Sequence, residues 1–244
     1  QPMSHVREVG SVNSDVVVIG GVAAGPKAAA TLARRQPDWK ITLFERGDAI
    51  SYGTCGMPYY ASGDIPDFRA LSETAWGVVR SPEYFAACKG FEVVTGAEVT
   101  AINRERKTVT VRMRQTGEVI EHGYGKLVIA TGSSVVHPSF AGEPSPNVRH
   151  FTRPDDAMAF RRLAEQGKIG EAVIIGGGFI GCELAEAAGG LWGIQTTVIE
   201  YEPQVLPYAL DPDMAELVQA ELANNGVKVL TGTRVESIES DGTR

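Results

Sequence analysis

The sequence predicts an α/β protein built on parallel sheets, and three observations carry that prediction. A strand-like apolar run, a glycine-rich turn and a helix-forming stretch follow one another twice, about 155 residues apart. Each copy then continues into a second short apolar run that ends in a glutamate. Between the copies, several short runs alternate apolar and polar residues and are separated by turn residues, the pattern of an antiparallel meander.

The elements follow in order. In DVVVIGGVAAGPKAAATLARR, Asp15 to Arg35, the β-branched run 16–19 reads as a buried parallel strand. Gly20, Gly21 and Gly25 make the turn, and Pro26 suits an early helix position because the N–H it lacks has no partner there. ITLFE, Ile41 to Glu45, is the second strand. SYGTCGMPYY, Ser51 to Tyr60, leads into a short helix over 58–62 closed by Gly63, and Ser81 caps a helix that runs through Cys88. Strands are expected at 91–95, 99–102, 108–114 and 118–122, then a separate apolar strand in KLVIATGS, Lys126 to Ser133. GEPSPN, Gly142 to Asn147, reads as a linker. A helix over 154–165 precedes the second copy, AVIIGGGFIGCELAEAAGGLWGIQTTVIE, and an amphipathic helix over 211–225 stops at Gly226. The expected organisation is a tail over 1–14, a first domain over 15–147 and a second over 148–244.

The duplicated unit has a chemical meaning. Glycines let the backbone approach a pyrophosphate, the helix N-terminus offers unpaired N–H groups, and an acid at the end of the second strand accepts from a ribose hydroxyl. A glycine triplet alone also suits a tight turn with no ligand. Strand, glycines, helix, strand and acid, in that order and twice over, point to two Rossmann-like dinucleotide-binding domains. Gly176, Gly178 and Gly181 keep the full G-x-G-x-x-G spacing; in the first copy Val22 replaces the middle glycine.

Composition excludes other classes. The chain has 244 residues, 43% hydrophobic and 22% charged, with no apolar run near the ~20 residues a bilayer helix needs. Its formal charge of -7 argues against nucleic acid or an anionic membrane surface as partner. Residues 1–14 contain no apolar core of a secretory signal. Three scattered cysteines, Cys55, Cys88 and Cys182, read as reduced thiols of a cytoplasmic protein. His5, His122, His137 and His150 have no metal-ligand spacing, so no metal is expected.

Taken together, the first glycine turn with Glu45, SYGTCGMPYY, the Ala-Thr-Gly at 130–132 and GGGFIG with Glu200 resemble the flavin- and pyridine-nucleotide-dependent disulfide oxidoreductases. S-x-x-x-C-G-x-P-Y-Y is similar to the branch that holds coenzyme A disulfide reductases, NADH oxidases and peroxidases, and NADH-dependent persulfide reductases. In that branch valine at the position of Val22 is usual. The resemblance implies FAD against Gly20, Val22, Ala23, Ala24, Glu45 and Arg46, with Val99 at the adenine and Ala130, Thr131 and Gly132 along the cofactor. It implies NADH against Gly176, Gly178, Phe179, Ile180, Gly181 and Glu200, with Phe179 covering the flavin face. Ser51 and Thr54 would line the thiol-substrate entrance, although coenzyme A-specific relatives often carry Asn in place of Thr54. Family members are longer, so this chain is expected to be their N-terminal part, with homodimer contacts in a further domain.

The single thiol at Cys55 is the expected redox nucleophile, favoured as thiolate by its place before a helix. With no second cysteine nearby in sequence, it would cycle through a mixed disulfide, a persulfide or a sulfenic acid. A buried structural role is the alternative, and it is the role expected of Cys88 and Cys182, each within a helix. The acceptor stays open among coenzyme A disulfide, a persulfide, peroxide and oxygen, and a redox carrier or sensor without turnover is the reading from another class. Glu200 lies about 24 residues after Gly176, followed by Tyr201 and Glu202, with no arginine nearby in sequence. At ~4 Å and an effective dielectric of ~20, each carboxylate facing a 2'-phosphate costs on the order of 4 kcal/mol before screening. NADH is therefore expected to be used in preference to NADPH.

Overall fold

The computed structural model describes residues 14–138, 140, 142 and 145–239. They form two compact units. One closes at Gly53 and resumes over Arg69–Ser133; the other takes Thr54–Phe68 and resumes at Ser134. Residues 1–13 of the expected tail, and Glu143 and Pro144 of the expected linker, lie outside the described residues.

The first unit is a six-stranded sheet in the order β3-β2-β1-β6-β5-β4. β1 (Ser14–Ile19) pairs in parallel with β2 (Ile41–Phe44), and β2 with β3 (Glu92–Val94). Alternation along β1 splits the core in two. Val16 and Val18 pack with Ala29 and Ala33 of α1 (Ala24–Arg35) and Phe85 of α3 (Pro82–Lys89), whereas Val17 and Ile19 pack with Ala97, Val109 and Val111 of β4 (Ala97–Asn103) and β5 (Thr108–Met113). Burial on both faces explains the unbroken apolar run 16–19, and the buried polar side chain of this strand, Ser14, is hydrogen-bonded to Thr42 and His122. Each fully buried valine contributes about 1.5–3 kcal/mol.

The strands expected separately at 118–122 and 126–133 are one strand, β6 (Val119–Ile129). Its first half pairs antiparallel with β5, and its second half pairs in parallel with β1. Gly125 permits the change of partner: a Cβ there would stand 2.8 Å from the carbonyl oxygen of Asp15. His122, the last residue of the expected strand 118–122, sits within β6 and is buried, with its Nε2 2.8 Å from Ser14 Oγ.

The second unit repeats the parallel core as β7 (Glu171–Ile175), β8 (Gln195–Ile199) and β9 (Val227–Leu230). Val198 packs there with Cys182 and Ala185 of α5 (Phe179–Ala185) and Ala215 and Leu222 of α6 (Pro212–Asn224). α5 widens into a π-helical turn, Glu186–Leu191. α4 (Pro154–Glu165) packs against α2 (Met57–Ser62), the short helix after Cys55. No helix among the described residues is long and apolar enough to cross a membrane.

Candidate functional site

The two glycine turns have matching geometry. Gly20 and Gly176 both adopt φ of 106°, open to glycine and strained for other residues, and each donates its N–H to the last residue of its neighbouring strand, Phe44 or Ile199. Close approach fixes the third glycine of each turn: a Cβ on Gly25 would collide with the Gly20 carbonyl, and one on Gly181 with the Gly176 carbonyl. α1 starts after Ala23 and α5 after Gly178, in both cases with no side chain capping the helix, so the first N–H groups have no side-chain acceptor at the cap. Ala23 and Ala24 are exposed and Val22 is half-buried. Space for a Cβ is open around Gly176 and Gly178.

The strand-end acids are mirror copies as well. Glu45 accepts from Gly21 N–H at 2.6 Å and Gly47 N–H at 2.7 Å; Glu200 accepts from Gly177 N–H at 2.6 Å and Glu202 N–H at 2.8 Å. Each carboxylate therefore ties its glycine turn to the end of the second strand. Four acceptor positions on a carboxylate leave room for ribose hydroxyls beside those two bonds. Ala130 follows β6 and donates to Ile19, bringing its carbonyl against Gly20; Thr131 and Gly132 come next and are exposed. Val99 is half-buried opposite Val111, at a break in the β4–β5 register. Arg46 is exposed, and its carbonyl accepts from the Arg114 guanidinium at 3.0 Å.

Two anchors hold the thiol segment, one in each unit. In the first, Ser51 adopts φ of 50° and donates its N–H to Gly21 O at 2.8 Å, and Gly53 N–H donates to Leu71 O at 2.9 Å. Arg80 organises this loop by donating to the carbonyls of Leu71, Ser72 and Glu73 and, at 3.4 Å, to Ser51 Oγ. In the second, Thr54 and Cys55 are exposed on a 3-10 turn that leads into α2, whose Met57, Pro58 and Ala61 are buried. Trp192 Nε1 donates to Ala61 O at 2.7 Å, and Arg161 donates to Ile65 O at 2.7 Å while its guanidinium lies over the Tyr60 ring. Tyr60 meets Phe68 edge-on, and Tyr59 is exposed. The helix has six residues, which limits the dipole available to the sulfur.

Arg80, Arg161 and Trp192 were not singled out by sequence reasoning. No local motif marks them; each acts on backbone carbonyls, which leave no trace in residue type. Of the other cysteines, Cys182 is buried, with Sγ 3.4 Å from Gly177 O. Burial, followed by the nearby charges of Glu200 and Glu183, pushes its thiol up to about 11. Cys88 departs from expectation: it lies in α3 but is exposed, because Phe85 supplies the buried face of that short helix. Among the described residues no three His, Cys, Asp or Glu side chains form a metal-binding group. Phe179 and Ile180, at the start of α5, are 63% and 52% exposed, so neither is a core residue of its own unit.

Residues 14–244 match the sequence model of the pyridine nucleotide-disulphide oxidoreductases. The chain belongs to that family. Among solved structures, this chain resembles a NAD-dependent persulfide reductase from A. fulgidus, with 42% identity and a TM-score of 0.87 over 94% of this chain and 41% of that one. It also resembles a water-forming NADH oxidase from Lactobacillus brevis bound to NADH, with 31% identity and a TM-score of 0.82 over 94% of this chain and 49% of that one. An NAD(P)H coenzyme A polysulfide/persulfide reductase from Pyrococcus horikoshii is 31% identical over 95% of this chain and 51% of its own length. The chain spans about half the length of the curated relatives it matches. These likenesses agree with the α/β, two-turn architecture expected from the sequence.

Proposed function

We propose that the protein is an FAD-dependent oxidoreductase that passes electrons from NADH to Cys55 and so reduces a disulfide or persulfide of a small thiol such as coenzyme A. The observation that carries this reading is an exposed free thiol, held at the head of a packed helix, in a chain with two matching glycine turns. The first turn suits FAD: Gly20, Val22, Ala23 and Ala24 offer backbone to the pyrophosphate and Glu45 accepts from the ribose, with Arg46, Val99, Ala130, Thr131 and Gly132 as neighbours. The second suits NADH, with Gly176, Gly178, Ile180 and Gly181 at the pyrophosphate, Glu200 at the ribose and Phe179 shielding the nicotinamide position. FAD, when bound, supplies a two-electron relay between nicotinamide and sulfur.

The chain's own part in the chemistry is nucleophilic. The Cys55 thiolate attacks one sulfur of RS–SR, forming a mixed disulfide and expelling RS⁻; two electrons from NADH then cleave that bond, restoring the thiolate and releasing the second thiol. Ser51 and Thr54 flank the sulfur in sequence and are proposed to receive the substrate. The likeness to a NADH oxidase supports a second reading, in which Cys55 cycles through sulfenic acid.

Steady-state NADH consumption by the full-length flavoprotein separates the readings. Turnover with coenzyme A disulfide or a persulfide, abolished in Cys55→Ser with the flavin spectrum retained, is the expected result. Turnover with peroxide or oxygen alone would select the oxidase reading. Full activity of the Cys55 variant would refute both.

A further inference from the structure

Around Glu200 the sequence offers no cation to a 2'-phosphate, but the fold brings one from beyond the end of β9. Beyond the ends of β8 and β9 the chain stays laddered: Thr233 N–H donates to Glu200 O at 2.9 Å and Gly232 N–H to Glu202 O at 2.8 Å. The next residue, Arg234, consequently arrives beside Tyr201, and its guanidinium lies over the Tyr201 ring, 5.2 Å from the centroid. Arg234 is exposed, Tyr201 is 62% exposed, and none of the ion pairs formed among the described residues engages Arg234. Two carboxylates that flank Tyr201 in sequence are already engaged. Glu200 accepts from two backbone N–H groups, and Glu202 accepts from the Tyr208 hydroxyl at 3.2 Å. A cation on an aromatic platform thus stands over Tyr201, the residue that follows the strand-end acid, at the carboxyl end of a parallel sheet where open α/β folds bind nucleotides.

We propose that Arg234, seated on Tyr201, receives the 2'-phosphate of NADPH, so that the protein uses NADPH beside NADH in spite of Glu200. The proposal rests on reading the second glycine turn as the nicotinamide nucleotide site. A guanidinium pairs with phosphate through charge-assisted, bidentate hydrogen bonds, and an aromatic face restrains the side chain that must make them. Glu200 and Glu202 still repel the dianion, so Arg234 narrows the preference for NADH and does not abolish it.

The test is titration of the full-length flavoprotein with adenosine 2',5'-bisphosphate and with 5'-AMP, together with KM for NADPH and NADH. Arg234→Ala should raise Kd for the bisphosphate and KM for NADPH about tenfold while leaving 5'-AMP and NADH within about twofold; Arg234→Lys should recover part of the loss. The arginine lies on the surface, and an unchanged Tm would exclude misfolding as the cause. Equal effects on both nucleotides, or none, would overturn the assignment of Arg234. Glu200→Gln keeps the two failures apart. If it shifts KM for NADH while Arg234→Ala fails to discriminate, only the phosphate proposal falls; if neither variant affects any nucleotide, the nucleotide reading of the site falls as well.

Discussion

Cys182 should be chemically silent in the folded protein, and its rate of alkylation measures why. The thiol rises from an ordinary value of 9.0 to about 11, first through burial and then through the charges of Glu200 and Glu183. Two units of pKa make the thiolate about 100-fold scarcer at pH 7, and only the thiolate reacts with iodoacetamide. Access lowers the rate further, since the residue is 9% exposed and its Sγ faces the Gly177 carbonyl. Pulse labelling of the native protein, read cysteine by cysteine through peptide mass spectrometry, should therefore show Cys182 at least about 100-fold slower at pH 7 than a free thiol of ordinary acidity. Its rate should keep rising tenfold per pH unit to beyond pH 10. In denaturant the three cysteines should label alike. Native Cys182 reacting within tenfold of the denatured rate, or levelling off below pH 10, would refute the argument from burial and local charge.

Two further outcomes follow from buried polar contacts. His122 is held below its ordinary ~6.5, mainly by burial and then by Lys40, with Glu92 pulling the other way. The unfolded chain therefore takes up this proton first, so stability is full above about pH 6.5 and falls as pH drops below it. His122→Gln should flatten that part of a plot of Tm against pH, and an unchanged slope would assign the acid loss to other groups. Arg161→Ala removes the donors to Tyr60 O and Ile65 O and frees the ring of Tyr60. It should cost on the order of 2–3 kcal/mol, as for hydrogen bonds from a charged donor; an unchanged urea midpoint would show that α2 is held by other contacts.

What the sequence determined by itself is what short stretches of chain decide. The apolar runs 16–19 and 172–175, their glycine turns and the terminal acids Glu45 and Glu200 could be read because strand packing, close backbone approach and a carboxylate that accepts from the turn's N–H groups each impose a residue type at a set spacing; only the first run is buried throughout, Val173 and Ile175 being 56% and 44% exposed. Helix α4 was legible for the same reason, with Pro154 at its first turn and Asp156 accepting from the backbone N–H groups of Thr152 and Arg153. Tertiary structure decided the rest. It fused two expected strands into β6, which exchanges β5 for β1 along its length, and no residue between them announces that the chain runs straight. It left Cys88 exposed, because one buried phenylalanine satisfies a helix of eight residues. It grouped Thr54–Phe68 with the second unit through Arg161 and Trp192, and it brought Arg234 onto Tyr201. Long side chains that donate to backbone carbonyls or lie over rings find partners by position in space, and position over a separation of about 100 residues is set by the packed core and by no local pattern.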